Sequence, residues 1–413
     1  MSEIQFLNPY EMQKVLSGVI AALPTERPEF MQGFFPEVAP TEHTTVNFDK
    51  EFRTKNVMGT FASPESDMTP VQLPNFGTQE LIFSYSKEGI NSDSFADLNQ
   101  RQLGDQFGMV DVIRNKALRL ARKTAEVEQR FRNLFELCSS NVAIYGGYSA
   151  KSQQHPEVRY NFNRTVITSA AYIKPSLYNT ASITSGLQPG RVPSVNLTTT
   201  DVTAPWDASQ VILPVIPTDG GNYTAGEKSW TKANIDAGTA TPFMDLTVQV
   251  QTVQERTMAD SVILSEDAYE MLNYDIEKNY KDAASTVVQA LLTIQRDITP
   301  RTQNIQGVTY KRMITFGEGT ALPVYIYRGM YTDRNDGSYK RYIPLGWSLV
   351  MPTSGSGIKI HGRILHPRAN YAAMPRWMNY WMNDKTGLEE WEYHTNFIIG
   401  HTMIDAVCAW KVC

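Results

Sequence analysis

The chain has 413 residues, of which 42% are hydrophobic, with 38 Lys and Arg against 43 Asp and Glu for a net charge of −5. That length predicts two or three structural regions with sizeable cores, and that composition excludes a largely disordered chain. The acidic balance excludes a dedicated nucleic-acid binder with a basic field over its whole surface, so any DNA contact must be local.

Three cysteines, Cys138, Cys408 and Cys413, make an odd count without a Cys-x-x-Cys pair. This argues against a disulfide framework and a zinc site, and for a reducing compartment. No stretch reaches the roughly 18 apolar residues of a membrane span. The longest N-terminal candidate, 15–23, lacks a basic run before it and follows Glu3 and Glu11. The expectation is a protein made and used in a cytoplasm.

The N-terminus predicts a short helix, with Asn8 as cap, Pro9 in the first turn, Glu11 three residues after the cap and Pro24 as its stop. Its stripe of Met12, Val15, Leu16, Val19 and Leu23 has little sequence nearby to cover it before Pro28, Pro36 and Pro40. It therefore wants a distant or neighbouring surface. Residues 41–90 alternate β-type runs (44–48, 56–61, 80–85) with loops at Pro64, Pro70 and Pro74, and read as an extended hairpin arm. A lone hairpin is marginal in water, so this arm also wants a partner.

Residues 105–139 carry the strongest helical signal. Val110, Ile113, Ala117, Leu120, Ala121, Val127, Phe131, Leu134, Phe135 and Cys138 recur at spacings of three and four, and Gly146-Gly147 closes the region. At 1.5 Å per residue this is a rod of about 45–50 Å. Its Arg114, Lys116, Arg119, Arg122, Lys123, Arg130 and Arg132 outnumber Asp111, Glu126 and Glu128, as a solvated face or a polyanion contact would require.

The block 166–227 differs in composition: 15 of its 62 residues are Ser or Thr and only six are charged. Runs at 194–202 and 210–216 between prolines and an Asp219-Gly220-Gly221 turn predict a small β-rich subdomain. Beyond it the pattern is mixed α/β: 246–253 and 261–264 frame a turn, Ser265 reads as the cap of a helix through Tyr274, and 280–296 as a helix stopped by Pro300. Strands at 323–327 and 341–344 flank a turn-rich tip at 333–337, and the tail 362–412 is aromatic and strand-like. There is no internal repeat.

The search for chemistry returns little. No Gly-x-x-x-x-Gly-Lys is present, and Gly355-Ser356-Gly357 lacks the spacing of a nucleophile elbow. The 333–337 segment places its glycine fifth and has no Glu twelfth, unlike a calcium loop. His361 and His366 are five apart, and Glu389 and Glu390 are adjacent; neither pair shares a strand face. No catalytic, cofactor or metal residues are assigned.

Taken in order, an arm, a β-extension, a very long helix, an α/β region and an aromatic tail resemble the major capsid proteins of tailed phages with the Hong Kong 97-type fold. The likeness is narrower to the lambda-type major capsid protein E family. Thr45-Val46-Asn47-Phe48-Asp49 resembles the start of its extended loop. Glu128-Gln129-Arg130, Ala143-Ile144-Tyr145 and Val158-Arg159-Tyr160-Asn161-Phe162 resemble the end of its spine helix and the next strand. Residues 259–269 are similar to its axial strand-turn-helix, and Val324-Tyr325-Ile326-Tyr327, Asp336-Gly337 and Ile343-Pro344-Leu345-Gly346 to its paired strands. The tail 377–412 looks like its terminal module, with Asp384-Lys385 where the family more often has Asp-Pro, and the block 166–227 is longer than the family's connection.

The resemblance implies an α+β fold with an N-terminal arm (1–40), an extended β-hairpin loop or E-loop (41–95), and a spine helix with part of the peripheral domain (96–165). It further implies an inserted β-rich subdomain (166–227), a mainly axial domain (228–345) and C-terminal strands completing the core (346–413). It implies a major capsid protein forming pentamers and hexamers of an icosahedral shell around double-stranded DNA. Its partners would be scaffolding, portal and decoration proteins; its place would be the virion, assembled in bacterial cytoplasm, with no membrane and no cofactor. The seven basic helix residues would face packaged DNA, and Met12, Val15, Leu16, Val19, Leu23, Phe48 and Phe61 would dock on other subunits. Two readings stay open: an encapsulin-like compartment shell, and a soluble enzyme with a dispersed site.

Overall fold

The computed structural model describes residues 30–51, 76–92, 112–152, 155–162, 194–196, 212–214, 230–254, 257–280, 307–316, 320–333, 337–352, 357–382, 389–403 and 406–413. The expected N-terminal helix, the strand at 56–61 and the helix at 280–296 lie outside them, apart from Tyr280.

A 3-10 turn, Met31–Phe34, leads into β1 (Glu37–Val38) and then an antiparallel hairpin of β2 (Thr45–Glu51) and β3 (Phe76–Ile82). β4 (Ser84–Ser92) follows directly, but it leaves the hairpin to pair with a strand some 300 residues later. The long helix α1 (Val112–Tyr145) spans about 51 Å at 1.5 Å per residue and runs on past Ser139, the expected end. Val127, Phe131, Phe135, Cys138 and Val142 make its buried stripe, at spacings of three and four. Gly146 stops it in the left-handed conformation (φ 76°), its amide donating to Val142 O at 2.9 Å. A second hairpin follows, β5 (Gly147–Ser152) with β6 (His155–Asn161).

Within the Ser/Thr-rich block, β7 (Ser194–Asn196) and β8 (Ile212–Pro214) pair antiparallel. After it come α2 (Lys232–Asp236), α3 (Pro242–Gln254), β9 (Ala259–Leu264) and α4 (Glu266–Asp275), which a π turn extends to Tyr280. Residues 246–253, expected only to flank a turn with 261–264, are helix. Pro242 opens α3 and Asp245 lies in its first turn, while Leu246, Thr247, Val248, Gln249 and Val250 are all buried. A helix covered on every side has no polar face, so its Val and Gln alternation imitates a strand.

β10 (Val308–Phe316), β11 (Thr320–Tyr327), β9, β14 (Trp347–Pro352) and β18 (Cys408–Lys411) form one sheet in the order β10-β11-β9-β14-β18. β12 (Met330–Thr332) and β13 (Tyr339–Arg341) form a separate ribbon. This corrects the expected hairpin: 323–327 pairs with β10 and β9, and 342–343 turn inward as buried Tyr342 and Ile343. The second large sheet contains β1, β15 (Gly357–His361), β17 (Glu389–His401) and β16 (Trp377–Met382), with β4 also on β17.

Alternation divides the first sheet between two cores. Val262, Leu264, Val324, Val350, Cys408 and Trp410 pack with α3 and α4, whereas Ile263, Tyr325, Tyr327, Leu349, Met351 and Ala409 pack with Phe30, Met31 and the end of α1. The stripe of α1 packs with the second sheet through Trp391, Tyr393, Phe397 and Ile399. The helix end therefore joins the two sheets. β8 lies against β18, the edge of the first sheet.

Candidate assembly surfaces and the root of the arm

The residues expected to dock on other subunits divide. Met12, Val15, Leu16, Val19, Leu23 and Phe61 lie outside the described residues. Phe48 is buried in the chain's own core, its ring edge-on to Phe162 at 5.3 Å. Gly400 of β17 lies beneath both rings, where a Cβ would come within 2.5 Å of Phe48, so only glycine fits there. The middle of the β2–β3 hairpin is thereby fixed to the second sheet, while Ile82, paired with Thr45 at the hairpin's open end, is 64% exposed.

Arg114, Lys116, Arg119, Arg122, Lys123, Arg130 and Arg132 all lie on α1. Arg122 is exposed and Lys123 half-buried. Arg130 is held by two carboxylates, Glu126 one turn earlier at 2.6 Å and Glu88 of β4 at 3.3 Å. Lys123 and Arg130, seven residues apart, share a stripe; Arg132, nine from Lys123, stands on the opposite side, where its carbonyl accepts from Gln32 Nε2 at 2.9 Å. The described basic residues do not form one face, which a count of charges along the sequence does not show.

Three ionisable groups are buried here, Glu136, His361 and His394, of which the sequence marks only His361 as a candidate. Glu136 of α1, fully buried, accepts at Oε1 from the Met31 amide (2.8 Å) and the Tyr327 hydroxyl (2.7 Å), and at Oε2 from the Gln32 amide (3.2 Å). Burial pushes its pKa up against these hydrogen bonds. The signal was present in the sequence: a carboxylate set between Leu134, Phe135, Leu137 and Cys138 must meet donors. His361 of β15 faces Glu37 at 3.3 Å and Phe135 ring to ring at 6.0 Å, and burial lowers its pKa to about 4. His394 of β17 has Tyr85 at Nδ1 and Glu392 at Nε2 (3.3 Å), with Lys87 paired to Glu392.

The Tyr85, His394 and Glu392 series has the order of a base-activated nucleophile, but burial and the Glu392 charge push the Tyr85 hydroxyl up to about 12. It stays protonated and donates to His394 Nδ1. The His366 ring lies tilted against Trp377, with centroids 4.6 Å apart. Among the described residues no group of three His, Cys, Asp or Glu could hold a metal ion, and no helix is long and apolar enough to cross a membrane.

No family model matches the sequence, and no curated protein matches it. Solved structures do. A protein of an E. coli CFT073 prophage, assigned as its capsid protein, aligns over 98% of this chain and 99% of its own with a TM-score of 0.59 at 13% identity. The mature capsid of bacteriophage PhiM1 aligns over 92% of this chain and 86% of its own (TM-score 0.41, 9% identity). An encapsulin complex from Synechococcus elongatus PCC 7942 aligns over 98% and 95% (TM-score 0.36, 10% identity). The fold is α+β, of the kind found in Hong Kong 97-like phage capsid structures.

Proposed function

We propose that the chain is the major capsid protein of a tailed bacteriophage, assembling into the pentamers and hexamers of an icosahedral head around double-stranded DNA. The observation that carries this reading is the end-to-end likeness to the prophage protein, 98% of one chain against 99% of the other. Its sites would be interfaces between copies, with scaffolding, portal and decoration proteins as further partners and the virion as its place. In this reading β2–β3 is the extended loop, α1 the spine, the sheet of β4, β15, β16 and β17 the peripheral domain and the sheet around β9 the axial domain. The 166–227 block is an insertion beside the axial edge strand β18, and Arg114, Lys116, Arg119, Arg122, Lys123, Arg130 and Arg132 supply local positive charge to the genome.

Negative-stain microscopy of the purified protein, and of particles from cells expressing it with its scaffolding partner, tests the reading. Closed shells that package DNA are expected. Shells enclosing a protein cargo would assign the chain to a compartment, and small discrete molecules would overturn the shell reading altogether.

A further inference from the structure

The edges of the two large sheets are not alike. β10 bounds the first sheet, with Lys311 and Arg312 on it and a bulge between Tyr310 and Arg312. At the other edge β8 lies against β18, and Val412 O accepts from Trp230 N at 2.7 Å. In the second sheet β4 carries Lys87 and Glu88, and β1 is only two residues long, one of them Glu37. Charge, bulges, short length and cover are the ordinary means by which a sheet edge is kept from pairing with another chain.

β16 shows none of these among the described residues. Its sequence over 377–382, Trp-Met-Asn-Tyr-Trp-Met, has no charge, proline or glycine, and half of it is aromatic. It pairs residue for residue with β17, from Trp377 opposite His394 to Met382 opposite Glu389, and no described strand pairs with its other edge. An uncharged run of β-forming residues sets no barrier against a further strand. The charges stand at its two ends instead, and they are of opposite sign. Arg376 precedes it, paired with Glu128 of α1, and Arg368 donates to Asn379 Oδ1 at 3.3 Å. Glu390 and Glu389 of β17 stand across from Trp381 and Met382 at the far end. A second β16 laid antiparallel brings each basic end beside an acidic one, whereas a parallel one brings like ends together.

We propose that β16 is an interface strand whose occupant is β16 of a second copy of this chain, paired antiparallel across a two-fold axis at Asn379 or Tyr380 so that two sheets become one. Pairing keeps the two faces of the joined sheet in line only when residues of the same parity oppose one another. The pair is therefore centred on a residue, and these two centres give the longest overlap. The proposal rests on the shell reading for its supply of copies: adjoining capsomers of an icosahedral shell are related by two-fold axes, and a two-fold contact is the arrangement in which one strand meets itself. It adds to that reading the residues through which two copies join.

Single cysteines in the full-length protein test it. Cys413→Ser removes the one native thiol that is not buried, and Asn379→Cys, Tyr380→Cys or Met382→Cys is added to that background. A residue at the centre of the pair stands about 4.5–5.5 Å from its own copy, within reach of a disulfide, whereas Met382 stands about 14 Å or farther from its own. Mild oxidation should give a disulfide-linked dimer from one of the two central variants and none from Met382→Cys. No dimer from either central variant would overturn the proposal, and so would equal yields from all three. Microscopy of the same samples separates this contact from the shell reading: closed shells without the dimer remove the contact alone, and dimers without shells keep the contact and remove the shell. A second measurement needs no variant at β16. Amide exchange of 377–382 in the wild type should be at least tenfold slower in particles than in free subunits, and equal exchange in the two would overturn the proposal.

Discussion

Acid should weaken the fold through His361, by an amount the structure defines. The imidazole is buried against the Phe135 ring, beneath Glu37 of β1 and beside Lys359 of its own strand, with the Asn396 backbone of β17 adjoining. Burial lowers its pKa from 6.5 to about 4, the Glu37 charge opposing the shift and Lys359 assisting it. The unfolded chain therefore binds a proton near pH 6.5 that the folded chain accepts only near 4. Stability from this group is complete above about 6.5, falls as pH drops through the interval, and levels off below about 4. The linkage relation gives a loss of about 2 kcal/mol at pH 5 relative to pH 7.5. Urea unfolding followed by tryptophan fluorescence at both pH values, in the unassembled protein and in His361→Gln, isolates it. The variant lacks the titration, so its stability should fall by about 2 kcal/mol less than the wild type between the two conditions. His394, whose pKa burial also lowers, and Glu136, whose pKa burial raises, titrate alike in both proteins and cancel in the comparison. Equal acid losses in the two proteins would refute the reasoning.

Three further outcomes follow from particular contacts. Phe135→Ala empties a site with Phe397 at 4.7 Å and the Lys359 ammonium 5.2 Å from the ring, and should cost about 3–5 kcal/mol in urea unfolding. Gln249→Leu removes the side chain that donates to Ser348 O (3.1 Å) and Cys408 O (2.9 Å) and accepts from Ser348 Oγ (2.8 Å); stranding those buried groups should cost about 2–3 kcal/mol, with amide exchange rising first in β14 and β18. Reversing Arg119, Arg122 and Lys123 to Glu should leave urea stability within about 0.5 kcal/mol while reducing DNA retained per particle, measured as the absorbance ratio of purified heads; full heads from that variant would remove the helix from the DNA contact.

What the chain reveals in one dimension depends on whether the governing contact is local. α1 is legible because its stripe repeats at helical spacing and Gly146 marks its end, and both facts lie within one stretch of sequence. α3 fails the same reading because burial on every side erases the period that identifies a helix. β4 reads as part of the hairpin arm for a different reason: nothing near residues 84–92 says that their partners stand at 389–397. The ribbon of β12 and β13 shows a milder form of the same fault. Its Asp-Gly tip is legible, but the runs at 323–327 and 341–344 look like its flanking strands although the first belongs to the neighbouring sheet.

Charge shows the limit most clearly. Counting basic residues along α1 gathers Arg132 with Arg130, yet two residues on a helix are about 200° apart, and only Arg130 points its guanidinium at Glu88 and Glu126. Position on the helix could have separated them without any coordinates. Glu136 was legible in the same way, since an acid on the inward side of an amphipathic helix is costly unless donors come to meet it. The sequence alone could not say that those donors are the amides of Met31 and Gln32, over 100 residues upstream, and the hydroxyl of Tyr327, nearly 200 downstream. That convergence joins the 3-10 turn, the long helix and the first sheet at one carboxylate.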